Sequence, residues 1–126
     1  MDKDKQPNAK RTIAVPEVRY NLKSIADKNK PTLISAVFRY QSEKLVYSTR
    51  HKITPKHWNS KTHLPIPSYL LYKELKDDLN KITDAIHTIY KRYLQAGDIV
   101  NLDTNTYKDK LDILLGRATE PEQKNQ

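Results

Sequence analysis

Polar and basic residues recur at alternate positions in three segments of the chain. The nine that share this phase are Arg19, Asn21, Lys23, Ser35, Arg39, Gln41, Ser48, Arg50 and Lys52. Five of them are cations and none is a carboxylate. Lysine and arginine neutralise phosphates, and arginine, asparagine and glutamine can form paired hydrogen bonds with guanine or adenine edges. This set of residues is typical of a surface that binds double-stranded DNA through the major groove.

The residues between these positions indicate the strands that must hold them. Apolar residues alternate with polar ones over 18–23, 34–41 and 46–53, a period of two that predicts β-strands. Turns at 27–31 and 41–44 would join them into an antiparallel meander. The face predicted to be buried comprises Tyr20, Leu22, Ile34, Phe38, Tyr40 and Ile53, with Trp58 closing one end. Because the aromatic residues lie on that face, the other face favours DNA over RNA, which sheets usually bind by aromatic stacking.

The period changes to that of a helix after the third strand. An apolar stripe with spacings of three and four runs through Leu71, Leu75, Leu79, Ile82, Ile86, Ile89 and Tyr93. Ser68, which follows two prolines, is the predicted N-cap, and Gly97 is the predicted stop. A shorter helix over 103–116 is predicted to cover the far end of the long helix. The predicted fold class is α+β, a three-stranded antiparallel sheet packed on a long helix and followed by a shorter C-terminal helix.

The positive charge is concentrated in one half of the chain. The 126 residues carry a formal net charge of +8. Residues 1–66 hold 14 Lys and Arg against 5 Asp and Glu, a net +9, whereas residues 67–126 hold 9 against 10, a net −1. Such asymmetry is most often the electrostatic footprint of a nucleic-acid-binding protein. No apolar run approaches the length of a membrane span, and no signal peptide is recognisable.

Three of the four histidines recur every six residues, which raises the question of a metal site. They are His51, His57 and His63. Ligands on a strand share a face at a spacing of two, and those on a helix at three or four, so a spacing of six fits neither. The absence of cysteine excludes a thiolate zinc site and a disulfide. We therefore expect no metal and no cofactor, with His51 in the core and the other two on the surface.

At this level of detail the chain resembles a known family. The segments VRYNLKS and TLISAVFRYQSEKLVYSTRHKITPKHWNS, followed by a long helix ending in AGD, are similar to the N-terminal arm-type DNA-binding domain of tyrosine recombinases. The resemblance is greatest to the integrases of phages and conjugative transposons of Bacteroidetes, and it covers residues 17–116. Its most specific stretch is YSTRHKITPKHWN, in which a strand leads into a Pro-Lys-x-Trp-Asn turn. The chain departs from the family at Arg50, where glycine is common, and at His51, where an aliphatic residue is common.

The resemblance implies a role in site-specific recombination. It implies that the sheet binds accessory arm sites in DNA and tethers a recombinase there during integration or excision. Tyrosine recombinases cut DNA with a tyrosine supported by arginine, histidine and lysine in a separate catalytic domain, so these 126 residues are not expected to be an enzyme. We expect a flexible basic arm over 1–16, the DNA-binding domain over 17–116, and a polar tail or linker to a core-binding domain over 117–126. The expected setting is the bacterial cytoplasm at the nucleoid, as a monomer without a small-molecule ligand.

Other functions are compatible with the same residues. A basic sheet edge can bind acidic segments of a partner protein by strand addition, which would make the chain a protein-interaction module. The chain could also be a stand-alone DNA-binding accessory factor. The apolar helix stripe could form a coiled-coil seam between two chains, although most of it is needed to cover the sheet.

Overall fold

A three-stranded sheet and two helices form the body of the protein. The computed structural model describes residues 15–119; the predicted arm before residue 15 and the predicted tail after residue 119 lie outside the described residues. The three-stranded sheet consists of β1 (Arg19–Leu22), β2 (Thr32–Tyr40) and β3 (Glu43–Ile53). A two-stranded hairpin, β4 (Trp58–Asn59) and β5 (Leu64–Pro65), precedes helix α1 (Tyr72–Gln95) and helix α2 (Thr104–Leu114). The predicted α+β fold class is confirmed.

The sheet is an antiparallel meander in the order β1-β2-β3, as the alternating pattern predicts. The buried face carries Tyr20, Leu22, Ile34, Ala36, Phe38, Tyr40, Leu45, Tyr47, Thr49 and Ile53. Gln41 and Ser42 form the β2–β3 turn with φ of 47° and 64°, the left-handed pair that a two-residue hairpin turn requires. The turn is therefore tighter than the predicted 41–44, and Glu43 already belongs to β3.

Helix α1 begins later than the sequence predicts. The N-cap expected at Ser68 is wrong, because the backbone first makes two successive turns closed by the N–H groups of Tyr69 and Tyr72. The helical pattern of hydrogen bonds starts with Leu75 N–H donating to the Leu71 carbonyl at 2.9 Å. Leu71 consequently lies outside the buried stripe and is 50% exposed.

Both helices end at the glycines that the sequence indicates. Gly97 and Gly116 have φ of 72° and 76°. After α1, the Asp98 N–H donates to the Tyr93 carbonyl at 2.9 Å, which closes the left-handed C-terminal motif that favours glycine. At the start of α2, the Asp103 carboxylate accepts the Thr106 N–H at 2.7 Å, as expected of an N-cap.

The core lies between the buried face of the sheet and the two helices. Phe38 meets the rings of Tyr40, Tyr90 and Tyr107 at centroid distances of 5.4 to 6.1 Å. The Tyr107 hydroxyl donates to the Ile86 carbonyl at 2.6 Å, so α2 covers the far half of α1 as predicted. No helix within residues 15–119 combines the length and the apolar character needed to cross a membrane.

Residues on both sides of the predicted 17–116 contact the rest of the fold. Val15 packs against the core, and the Pro16 carbonyl lies 3.0 Å from His87 Nε2 on α1. At the other end, Arg117 is hydrogen-bonded to β3. Trp58, expected to close the core, lies in the β4–β5 hairpin opposite Pro65 and is half-buried against the core rather than enclosed by it.

Candidate nucleic-acid interface

The face of the three-stranded sheet opposite the core, here called the outer face, carries most of the predicted DNA-binding residues. Seven of the nine lie on strands: Arg19, Asn21, Ser35, Arg39, Ser48, Arg50 and Lys52. Ser35 is half-buried and the other six are exposed. The remaining two lie at the margins of the sheet, because Lys23 follows β1 and Gln41 belongs to the hairpin turn. Lys44 and Val46, which are not among the nine predicted residues, are also exposed and share the phase of Ser48.

Strand register arranges the outer face in rows that cross the sheet. Asn21 pairs with Ser35 and Ser35 with Ser48, which forms a polar row over all three strands. Arg39 pairs with Lys44 at the hairpin end. Cations directly opposite each other destabilise an antiparallel sheet, so this pair is unfavourable unless an anion lies over it.

The β1 side of the outer face is less uniformly basic than the sequence suggests. Glu17 Oε1 lies 3.7 Å from Arg19 Nε, with both side chains exposed. Asn21 Oδ1 lies 3.0 Å from His63 Nδ1, whose ring also lies 3.3 Å from the Tyr20 carbonyl oxygen. Part of the Asn21 amide is therefore engaged by the loop of the β4–β5 hairpin. A shallow depression on the outer face is lined by Glu17, Arg19, Asn21 and His63 together with Pro16, Val37 and Arg39.

Strand β3 contains an irregularity at Arg50. The register shifts between Leu33–Lys52 and Ser35–Ser48, so three residues of β3 lie opposite Ile34 alone. This segment, Thr49–Arg50–His51, is here called the bulge. Arg50 adopts φ of 64°, a left-handed conformation that is uncommon for residues with a Cβ atom. Arg50 thus occupies a position whose backbone favours glycine.

Side chains of the strand itself stabilise this conformation. The Thr49 hydroxyl is buried and donates to the Ile34 carbonyl at 2.8 Å. Its oxygen lies 3.1 Å from the His51 N–H, and Ser48 Oγ accepts the Arg50 N–H at 3.1 Å. These bonds satisfy backbone groups that the register shift removes from the ladder.

Arg117, a residue of the predicted tail, lies at the free edge of β3. Its two terminal nitrogens donate to the carbonyls of Ser48 at 2.8 Å and Thr49 at 3.0 Å. Its guanidinium lies 4.9 Å from the centre of the Tyr47 ring, and the Tyr47 hydroxyl donates to Asp112 on α2. No local pattern in the sequence distinguishes Arg117 from a solvated basic residue.

Both free edges of the sheet therefore carry side-chain contacts. Arg117 occupies carbonyls on the β3 edge, and the His63 ring lies against the Tyr20 carbonyl on β1. Strand addition by a partner peptide needs such backbone groups to be accessible. The contacts of Arg117 and His63 use the carbonyls of Ser48, Thr49 and Tyr20, which such a peptide would need at these positions.

Each of the three regularly spaced histidines has a different neighbour. His51 is not in the core as expected; the bulge leaves it half exposed, with Nε2 3.1 Å from Asp78 Oδ2 on α1. The His57 ring lies 5.1 Å from that of Tyr69, and His63 contacts β1. Among residues 15–119, no group of three or more histidine and acidic side chains is placed to hold a metal ion.

The tyrosines that join the sheet to the helices are held as neutral phenols. Burial raises the pKa of Tyr20, Tyr40 and Tyr47 to about 12. The Tyr20 hydroxyl donates to the Leu79 carbonyl at 2.7 Å, and that of Tyr40 donates to the Leu102 carbonyl at 2.6 Å. Their hydroxyls serve as structural donors, as does the hydroxyl of Tyr107.

Comparison with protein-family models, curated proteins and solved structures finds no match to this chain.

Proposed function

We propose that this protein binds double-stranded DNA by placing the outer face of its sheet in the major groove. The observation that carries the proposal is the arrangement of exposed cations on that face, above all Arg39 directly opposite Lys44. The repulsion between these two cations destabilises the free protein, and it decreases when DNA phosphates neutralise them.

The dimensions of the sheet suit the groove. Strands spaced about 4.8 Å apart place β1 and β3 about 10 Å from each other. The major groove of B-DNA is about 12 Å wide and is known to admit β-ribbons. With the helices packed on the opposite face, the outer face can enter the groove without steric conflict from α1 or α2.

The outer face divides into two kinds of contact. Lys44 and Lys52, near the two ends of β3, reach phosphates on either side of the groove, because lysine acts as a point charge on a flexible stem. The central row of Asn21, Ser35 and Ser48 faces the base edges, where asparagine and serine can exchange hydrogen bonds with adenine and other bases. Lys23 and the loop that follows it reach flanking phosphates.

The biological role proposed for this binding is that of an arm-type domain. In this role the chain tethers a site-specific tyrosine recombinase to accessory sites of a mobile element, and the recombinase acts at the bacterial nucleoid. Support comes from the sequence resemblance over residues 17–116 and from a sheet backed by a helix, the architecture that the resemblance implies. The chemistry of strand exchange is assigned to other parts of such a recombinase.

Salt dependence of binding to a random-sequence duplex tests the proposal. If about four to six cations neutralise phosphates, the slope of log affinity against log salt should be about −4 to −5. Replacing Lys23, Lys28 and Lys52 together by glutamine should flatten this slope by about three. The affinity can be measured by fluorescence anisotropy with a labelled duplex at salt concentrations from about 50 to about 200 mM.

A matched triple variant on α1 is the control. Lys73 bonds Asp77 at 3.0 Å, Lys76 lies 5.7 Å from the Tyr72 ring centre, and Lys81 lies 4.0 Å from Asp78. Replacing these three lysines by glutamine removes the same charge and should change the slope by less than about one. Equal effects of the two triple variants would place the binding surface on the helix. Binding to an acidic peptide without binding to DNA would favour the protein-interaction module.

A further inference from the structure

The bulge that presents Arg50 is stabilised by contacts from both helical elements. From the end of α2, Arg117 donates to the carbonyls of Ser48 and Thr49. From α1, Asp78 lies 3.1 Å from His51. These contacts are made to the residues on either side of Arg50, and the Arg50 side chain remains exposed to solvent.

The conformation of Arg50 is unfavourable by itself. A residue with a Cβ atom in the left-handed region persists only where its surroundings enforce it, and such positions concentrate at functional sites. Hydrogen bonds made by Ser48, Thr49 and Arg117 hold the backbone of the bulge in this conformation. A glycine would adopt the same backbone without strain, so an arginine here indicates a use for its side chain.

We propose, on the basis of the proposed function, that Arg50 discriminates between base pairs and that Arg117 is a positioning residue that acts through it. A guanidinium recognises guanine by two parallel hydrogen bonds, which requires one fixed approach rather than a flexible one. Side-chain hydrogen bonds from Ser48 and Arg117 hold the backbone next to Arg50 in the bulge. Arg50 is therefore suited to reading a base, and Lys44 and Lys52 to phosphates.

Arg117 does not bind DNA in this proposal. Two of its guanidinium N–H groups donate to backbone carbonyls, and the guanidinium carbon lies 4.9 Å from the centre of the ring of Tyr47, a residue of the buried face. Tyr47 is in turn bonded to Asp112, so Arg117 connects α2 to the strand that carries Arg50. Loss of Arg117 should loosen the bulge while leaving the other cations of the outer face in place.

The test is selection from a random-sequence duplex pool with the full chain, followed by affinity measurements on the enriched sequence and its single-base variants. Arg50→Ala should reduce discrimination at one base-pair position by about tenfold. Arg117→Lys keeps the charge but lacks the planar fork, and it should reduce discrimination at that same position. The double variant should lose no more than Arg50→Ala alone, because Arg117 acts only through Arg50.

Three further variants keep the outcome interpretable. Arg117→Met retains a flexible chain over Tyr47 without donors and replaces the lysine variant if that one fails to fold. Lys44→Ala should weaken binding to all sequences and leave the enriched motif unchanged. Arg39→Ala removes an arginine from the same face on a regular strand, and its effect should fall at another position or on all sequences.

Each alternative result overturns the inference. An unchanged motif in both Arg117 variants, or a uniform loss of affinity in them, would mean that Arg117 does not position Arg50. DNA binding without any enriched motif would leave the proposed function standing and refute base discrimination by Arg50. A chain that does not bind the duplex pool would refute both proposals.

Discussion

Substituting Arg50 first by alanine and then by glycine separates the loss of its side chain from the strain in its backbone. Alanine removes the guanidinium but keeps a Cβ atom at φ of 64°. Glycine then removes the Cβ atom, and with it the steric cost of the left-handed conformation. The same pair of substitutions at Arg39, an exposed residue of strand β2 that adopts no positive φ, is the matched control.

The expected magnitudes have opposite signs at the two positions. A left-handed conformation costs a residue with a Cβ atom about 1–2 kcal/mol. Glycine loses about 0.5–1 kcal/mol more backbone entropy than alanine on folding. At Arg50 the step from alanine to glycine should therefore stabilise the fold by about 0.5–1 kcal/mol. At Arg39 the same step should destabilise it by about 0.5–1 kcal/mol.

Urea unfolding followed by far-ultraviolet circular dichroism measures both steps. The change in free energy of unfolding from alanine to glycine should differ between positions 50 and 39 by about 1–2 kcal/mol. This difference is well above the experimental error when the variants have equal m-values. Thermal unfolding should show the same order, with glycine above alanine at position 50 and below it at position 39. A destabilising step of equal size at both positions would refute the claim that Arg50 is strained, and with it the argument for a functional side chain.

Three other measurements test the structure. Burial raises the pKa of Tyr20, Tyr40 and Tyr47 to about 12, whereas a tyrosine in an unfolded chain has a pKa of about 10. The contribution of these neutral phenols to the free energy of unfolding should therefore be complete below about pH 10 and lost as the pH rises towards 12. A constant free energy of unfolding across that pH range would contradict this expectation. Tyr107→Phe removes a buried hydroxyl bonded to a carbonyl of α1 and should cost about 1 kcal/mol in urea unfolding, whereas no loss would mean the bond is absent. Trp58→Ala should cost about 1–3 kcal/mol, less than a fully enclosed tryptophan, and fluorescence of Trp58 typical of full burial would contradict its half-buried position.

Local periodicity predicts the three strands of the main sheet, the presence of both helices and the two faces of the sheet. Alternation along β2 and β3 correctly separates Phe38 and Tyr47 from Arg39 and Ser48, because side chains of a strand point alternately to opposite faces. Gly97 and Gly116 end their helices as predicted, since a left-handed C-terminal residue is a local requirement.

Features that depend on contacts between distant residues could not be predicted from local periodicity. The start of α1 was misplaced because the turns before Tyr72 compete with helix at Ser68, and propensity alone does not decide between them. His51 was assigned to the core because strict alternation continues through it, whereas the register shift opposite Ile34 turns it towards Asp78.

A basic, polar face opposite an apolar one follows from residue type and a period of two, so it can be predicted from the chain alone. How that face is presented depends on contacts between distant elements. Arg39 meets Lys44 through strand register, and Arg50 is held in a left-handed bulge. Arg117 reaches β3 from 68 residues further along the chain. Such contacts have no periodic signature, since they arise from packing between elements rather than from the order of residues within one.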